Sequence, residues 1–345
     1  MELEGILKRL SAIGAPSGFE RPAALAAKEL LEPLTDEVQI DRLGSVTGIR
    51  RCGKPNAKKL LLDAHLDEVG LTVTGIKDGF LRFAAIGVDP RMLPDREISI
   101  LTEPPMLGVV ACLPPHVLSA EDREKAPEIK DMFVDTGLSQ KEAEQRIPLG
   151  TPMVFRSEFT RLGRRQVCGK AMDDRACFVT LLRALELLQG RELNVDVYVL
   201  GSVCEETNSA GATVAVQTLT PDFCVAVDVT HGRTPDGPKD ETFVTGGGPV
   251  VGIGPNMTRW MTQKLLNTAK QEAIAVQKEI MERSSGTNGW EMQICNEGVA
   301  TAVLSLPLKY MHTPVETLEL SDVEDTARLL AAFAAELGEE DGPEW

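Results

Sequence analysis

Three apolar stretches of this chain run into residues of types that can bind metal ions. Leu60-Leu61-Leu62 leads through Asp63 and Ala64 to His65, residues 195–203 lead to Glu205 and Glu206, and residues 223–227 lead to Asp228. Asp173, Asp174 and His312 add further carboxylate and imidazole donors from elsewhere in the chain. Such N and O donors suit Zn²⁺, Co²⁺ or Mn²⁺, and a pair of such ions is held by a carboxylate that offers one oxygen to each. Taken together, the donors add up to one site for two divalent metals.

Each residue also has an ordinary reading. A histidine at a strand end usually finds a structural partner, because buried polar groups are nearly always hydrogen-bonded. In Asp63-Ala64-His65-Leu66-Asp67-Glu68 that balance shifts, since a carboxylate two residues on can take the spare imidazole N–H and fix the tautomer that ligates. Capping and the helix dipole explain one aspartate at the helix start 173–174, but not two in succession. Glu205 and Glu206 follow an extended strand, where alternation sends their side chains in different directions, so one can ligate while the other works on a water. The competing reading, a solvated acidic turn, is weakened by the packed character of Ser209-Ala210-Gly211-Ala212. Asp228 alone reads as a turn residue as readily as a ligand, and His312 alone, before Thr313-Pro314, reads as a surface residue. His116 and His231 lack a carboxylate setting, although His231 is close enough to Asp228 to stand behind it.

An open α/β sheet brings such residues together, because the carboxyl ends of its strands form the rim where ligands bind. Helical spacing of Leu, Ile and Ala over 4–13 and 21–34 is broken by Ala15-Pro16-Ser17-Gly18, and strand-like pieces follow at 37–41 and 46–50. After Gly169 the pattern predicts a helix at 173–189, a strand at 195–202, a helix near 208–218 and a strand at 223–228. A long amphipathic helix from Thr258, a strand at 299–306 and a helix over 322–337 complete it. The last helix carries a capping-box pattern at Ser321 and Glu324, and the acidic tail from Glu339 is expected to be mobile. From 70 to 156 the chain instead reads as short strands punctuated by Gly and Pro, with one helix at 139–145. That mix predicts a small β-rich module inserted into a larger α/β domain, the alternative being one extended sheet.

With 345 residues and 43% hydrophobic content, the chain is long enough for a large domain plus an inserted one. A formal charge of −16 argues against a nucleic-acid partner. No window approaches the roughly 18 apolar residues of a membrane span, and no signal-like segment opens the sequence. The seven cysteines form no CxxC pair and read as reduced thiols, which points to a cytoplasmic protein.

The strings DAHLDEVG, GKAMDDRAC, CEETNSAGA, AVDVT and KYMHTPVE, in this order and at these separations, resemble those of the tetrahedral aminopeptidase and glutamyl aminopeptidase family. These are dinuclear metallopeptidases, some of which carry an endoglucanase label of the cellulase M type. The resemblance covers nearly the whole chain. It implies a mixed-sheet α/β catalytic domain flanked by helices, made of residues 1–69 and 157–345, with an inserted β-rich oligomerisation domain at 70–156. It further implies His65, Glu206, Asp228 and His312 as metal ligands, Asp173 as the bridge, Glu205 as general base and Asp67 as the residue that orients His65. The Asp173–Asp174 peptide would be cis. Two divalent ions per subunit, Zn²⁺ or Co²⁺, short peptide substrates and a homo-oligomer of up to twelve subunits complete the expectation.

Two other readings compete with a metal-dependent aminopeptidase: an endoglucanase, and a non-catalytic metal-binding assembly protein. Glycoside hydrolysis needs two carboxyls on opposite sides of the scissile bond, ~5 to 10 Å apart, which adjacent Glu205 and Glu206 serve poorly. The sequence also departs from the family twice. It has Gly286-Thr287-Asn288 where relatives carry an aspartate, and Thr207-Asn208-Ser209-Ala210 where they carry Val-Gly and an arginine. Both changes bear on substrate handling and local charge rather than on the ligands.

Overall fold

The computed structural model describes residues 1–342. Eight strands form a mixed sheet in the order Glu37–Ile40, Val46–Arg50, Asp196–Ser202, Lys59–His65, Phe223–His231, Ala300–Leu308, Val250–Ile253 and Gln277–Ile280. The four central strands from Asp196–Ser202 to Ala300–Leu308 run parallel, and their register sets Ser202 beside His65 and Ser305 beside Asp228. Antiparallel pairing begins on either side, at Val46–Arg50 and at Val250–Ile253.

Both faces of this sheet are covered, which explains why its central strands are almost continuously apolar. Leu60, Leu62, Val197, Val199, Val225 and Val227 sink into the larger core with helices Leu3–Ser11, Arg21–Leu31, Met172–Leu188, Arg259–Gln271 and Leu320–Glu336. Leu61, Tyr198, Leu200, Cys224, Ala226 and Val303 turn the other way, against Ala210–Leu219 and Gly289–Met292. By the same alternation Asp63, Asp228, Thr230 and Ser305 belong to this second face. Polar side chains there are the exception, and they gather toward the carboxyl ends of the strands.

Strands Gly70–Lys77, Phe80–Ile86, Met132–Asp135, Met106–Cys112, Glu97–Ile100 and Pro152–Phe155 close, in that order, into a barrel. Its own core contains Leu71, Val73, Leu81, Ile98, Val110, Val134 and Met153. Closure removes the exposed edges that six short strands would otherwise present. A small three-stranded sheet, Thr160–Leu162, Gln166–Gly169 and Glu316–Glu319, then ties the approach to the helix Met172–Leu188 to the segment after His312.

Several local expectations change. The strand carrying Asp228 continues three residues past it, because Thr230 and His231 still pair with Pro307 and Leu308 and keep the backbone extended. The last helix begins at Leu320, and Ser321 caps nothing; its Oγ donates to Glu319 Oε1 at 3.0 Å. A capping box forms instead at Ser139 and Glu142, ahead of Gln140–Arg146. The start of the acidic tail is tied down: Lys58 Nζ donates to the Glu339 carbonyl at 2.7 Å and Lys264 Nζ to the Asp341 carboxylate at 3.0 Å. Its last three residues lie outside the described residues. All seven cysteines are free thiols, and among the described residues no helix is long and apolar enough to cross a membrane.

Candidate metal centre

His65 is the last residue of its strand and is 2% exposed. Its Nδ1 donates to the Asp67 carbonyl at 3.1 Å, and its Nε2 lies 3.1 Å from Asp173 Oδ1. His312 arrives from a loop, at a φ of 61°, and repeats the arrangement. Its Nδ1 donates to the Gly87 carbonyl at 2.6 Å, while Nε2 lies 3.2 Å from Asp173 Oδ2 and 3.2 Å from Glu206 Oε1. Each imidazole therefore spends Nδ1 on a backbone carbonyl and turns Nε2 onto its own oxygen of one shared aspartate. A ligating histidine is prepared in this way.

Asp173 is aimed by its surroundings. The Asp173–Asp174 peptide is cis, and both residues have non-helical dihedrals, so the regular helix starts only after Asp174. Asp174 turns inward as well: its Oδ2 accepts the His65 N–H at 3.2 Å, and its Oδ1 is buried without a hydrogen-bond partner among the described residues. Donor atoms of His65, Asp173 and Glu206 lie within 4.8 Å of one another, as do those of His65, Asp174 and Asp228.

Glu205 and Glu206 differ in direction for another reason than strand alternation. Cys204 has a φ of 60°, which turns the chain off the strand and into the short helix Glu205–Asn208. Consecutive helical residues diverge by about 100° around the axis. The turn is clamped by Asp67, whose Oδ1 and Oδ2 accept the Glu205 and Glu206 N–H groups, both at 3.1 Å. Ser17 donates to the same carboxylate at 2.6 Å. His65 Nδ1 is 3.5 Å from Asp67 Oδ1, farther than from the Asp67 carbonyl. The carboxylate thus reaches both the histidine and the glutamate pair.

The site is crowded with acids and short of compensating charge. Burial, then Glu206 and Asp173, lifts the Glu205 pKa to about 7 against the pull of His65. Burial raises Asp174 and Asp228 well above the usual carboxylate range, with each other's or neighbouring charges adding to the effect. Burial opposes charge on His312, yet Asp173 and Glu206 push it up to about 11. His65 is also raised, again against burial, by Asp173 and Asp67. Protons are held here because positive charge is wanted, and the partnerless Asp174 oxygen has the same need. The donors fit a divalent cation.

Residues outside the sequence reading complete the support. Glu316, 2% exposed, accepts the N–H groups of Met172 at 2.7 Å, Asp173 at 3.3 Å and His312 at 2.8 Å, and so joins the two loops that carry a ligand candidate each. It stands four residues after His312, and that spacing was its only signal. Buried Lys170 bonds both Glu68 oxygens, at 2.7 and 2.8 Å, and Arg175 reaches Glu68 at 3.2 Å, bracing the loop before Asp173. Gly87 belongs to the barrel side, and nothing local marked it. Its φ is +69°, and a Cβ there would come 3.0 Å from Glu206 Oε2 and 2.5 Å from Val69.

Asn288 has a physical explanation. Its Nδ2 donates to Asp63 Oδ2 at 2.8 Å and to Ser202 Oγ at 3.0 Å. With Asp63 buried opposite, the position needs a donor, and a second carboxylate would put two acceptors face to face.

Comparison with known proteins places the chain in a family. A family model described as M42 glutamyl aminopeptidase matches residues 44–329. The lysyl aminopeptidase of Pyrococcus furiosus is 36% identical over 339 residues, which cover 96% of each chain. The TET aminopeptidase structure from the marine sediment archaeon Thaumarchaeota archaeon SCGC AB-539-E09 superposes with a TM-score of 0.93 at 31% identity, covering 98% of both chains. The TET1 peptidase of Pyrococcus horikoshii, which can assemble into a tetrahedron or a large octahedral shell, gives a TM-score of 0.85 at 27% identity, covering 97% of this chain and 100% of that one. The chain belongs to the M42 glutamyl aminopeptidase family and is a peptidase.

Proposed function

We propose that this aminopeptidase releases N-terminal residues from short peptides, using two divalent metal ions and Glu205 as general base. The observation that carries the reading is the pair of Nε2 atoms, from His65 and His312, on opposite oxygens of Asp173. Asp173 would bridge, with His65 and Asp228 on one side and Glu206 and His312 on the other. Zn²⁺ and Co²⁺ both suit such donors. When bound, the ions supply the positive charge that polarises the scissile carbonyl and makes water easier to deprotonate.

The chain's own residues do the remainder. Glu205 takes a proton from water as the water oxygen bonds to the carbonyl carbon, and gives it to the amine nitrogen as the C–N bond breaks. Asp67 holds Glu205 and Glu206 in register through their N–H groups and keeps His65 oriented.

Residues 1–69 and 157–345 form the catalytic part in this reading, and the barrel within 70–156 joins subunits into a homo-oligomer of up to twelve. That the P. horikoshii relative can assemble into a tetrahedron or a large octahedral shell supports the homo-oligomer. Seven free thiols suit a reducing, cytoplasmic compartment. Family and relative differ in the residue their names give, glutamyl against lysyl, so the names do not choose a substrate.

Chelation should abolish release of N-terminal residues, and Zn²⁺ or Co²⁺ should restore it. Glu205→Gln should keep its metal content, measured by mass spectrometry, while losing about 10²- to 10⁴-fold in rate. A fully active Glu205→Gln enzyme would remove Glu205 from the mechanism, and cellulose hydrolysis persisting in chelator would revive the glycosidase reading.

A further inference from the structure

The edge strand Gln277–Ile280 points Gln277 and Glu279 inward and leaves Lys278 and Ile280 exposed. Glu279 Oε1 accepts a hydrogen bond from Thr230 Oγ1 at 3.1 Å, and its Oε2 is buried without a hydrogen-bond partner among the described residues. Thr230 stands two residues beyond Asp228 in one extended strand, hence on the same face and about 7 Å farther along. Beside Asp228, on the next strand, Ser305 is 1% exposed and its Oγ also lacks a hydrogen-bond partner among the described residues. A polar wall therefore extends from the candidate metal centre toward the sheet edge, ending in a carboxylate that is only half satisfied.

The catalytic mechanism uses neither Glu279 nor Ser305. Leaving a buried carboxylate oxygen unpaired is costly, and burial does raise the Glu279 pKa against the Thr230 hydrogen bond and the influence of His231. A cationic group arriving from solution would remove that cost. The substrate can bring such a group. The first side chain of a peptide whose terminal residue sits at the metals starts near Asp228, and the four-carbon stem of lysine, on the order of 6 Å long, is of the same order as the ~7 Å from Asp228 to Thr230.

We infer that Glu279 is a specificity-determining residue that selects substrates with a cationic N-terminal side chain, lysine or arginine, with Thr230 holding its carboxylate in place. This rests on the aminopeptidase reading and adds the substrate class. A site built around a buried charged partner rejects analogues that lack the partner group more strongly than a hydrophobic pocket rejects a size change.

The test compares kcat/KM for lysyl and norleucyl amide substrates, which differ by the terminal ammonium, on metal-loaded enzyme. Wild type should favour the lysyl substrate by about tenfold or more, the range expected for a charge-assisted hydrogen bond. Glu279→Gln should bring that ratio toward one, and Glu279→Lys should invert it. A wild-type ratio at or below one overturns the inference even if no variant folds. A uniform loss on both substrates, with the ratio unchanged, also overturns it, because Glu279 would then be holding the common α-amino end. Release from neither substrate would count against the aminopeptidase reading itself, which separates the two failures.

Discussion

The two sides of the candidate metal centre are built differently. One side, His65 with Asp228, is buried and rests on neighbouring parallel strands, with Asp174 joining it from the start of the helix Met172–Leu188. The other, His312 with Glu206, rests on a loop and a four-residue helix, held by Glu316 and by the Gly87 carbonyl from the barrel side. Backbone ladders position the first, whereas single side-chain and carbonyl contacts position the second. The loop-built side is therefore where small changes should loosen the site first.

Asp173 is the element common to both sides, and its removal is the harshest test of that division. Asp173→Ala should lose both ions and all measurable activity, read by metal analysis; one ion retained at full occupancy would show that the sides do not share it. Glu316→Ala removes the acceptor of three backbone N–H groups and should weaken metal binding about 10- to 100-fold, the usual cost of an outer hydrogen-bond partner. In a stepwise titration most of that loss should fall on the ion His312 would hold, because the bond to the His312 N–H, 2.8 Å, is shorter than that to the shared Asp173, 3.3 Å. Equal weakening of both would erase the contrast.

Behind the strand-built side, Asn288→Asp places a second buried carboxyl against Asp63, whose own pKa burial already lifts to about 6 against its bonds from Ser202 and Asn288. A loss of about 2 kcal/mol in chemical denaturation is expected. An unchanged midpoint would mean that the pair relaxes freely. The mildest test is pH. Glu205 has a folded pKa of about 7 against an ordinary 4.5, so the folded metal-free protein binds more protons than the unfolded one between those limits. Its stability contribution is full below 4.5 and is lost as pH rises to about 7. Thermal melts of metal-free protein should show that decline, and saturating Zn²⁺ should flatten it.

Much of this was legible in the linear chain. The apolar runs ending near His65, Glu205 and Asp228 announced strands of an α/β sheet, and the change to short, Gly- and Pro-punctuated strands after Gly70 announced a β-rich region, which closes into the barrel. What stayed hidden was set by contacts between distant segments. The exit of Glu205 and Glu206 from the strand depends on the left-handed turn at Cys204, for which a cysteine is no signal. Glu316, Gly87 and Glu68 look like ordinary loop or strand residues until the fold brings them under His312, Asp173 and Lys170. Asn288 read as a departure from the family, yet Asp63 on a neighbouring stretch of the core supplies its reason.

The sequence by itself therefore determined the kinds of donors available, the strands that would carry them and the reaction they suit, because ligand chemistry and strand periodicity are local properties. The tertiary structure decided which nitrogen each histidine presents, which oxygen of Asp173 each one faces and which carboxylate is left waiting beside Thr230. Those are matters of distance between segments far apart in the chain, and only packing sets them.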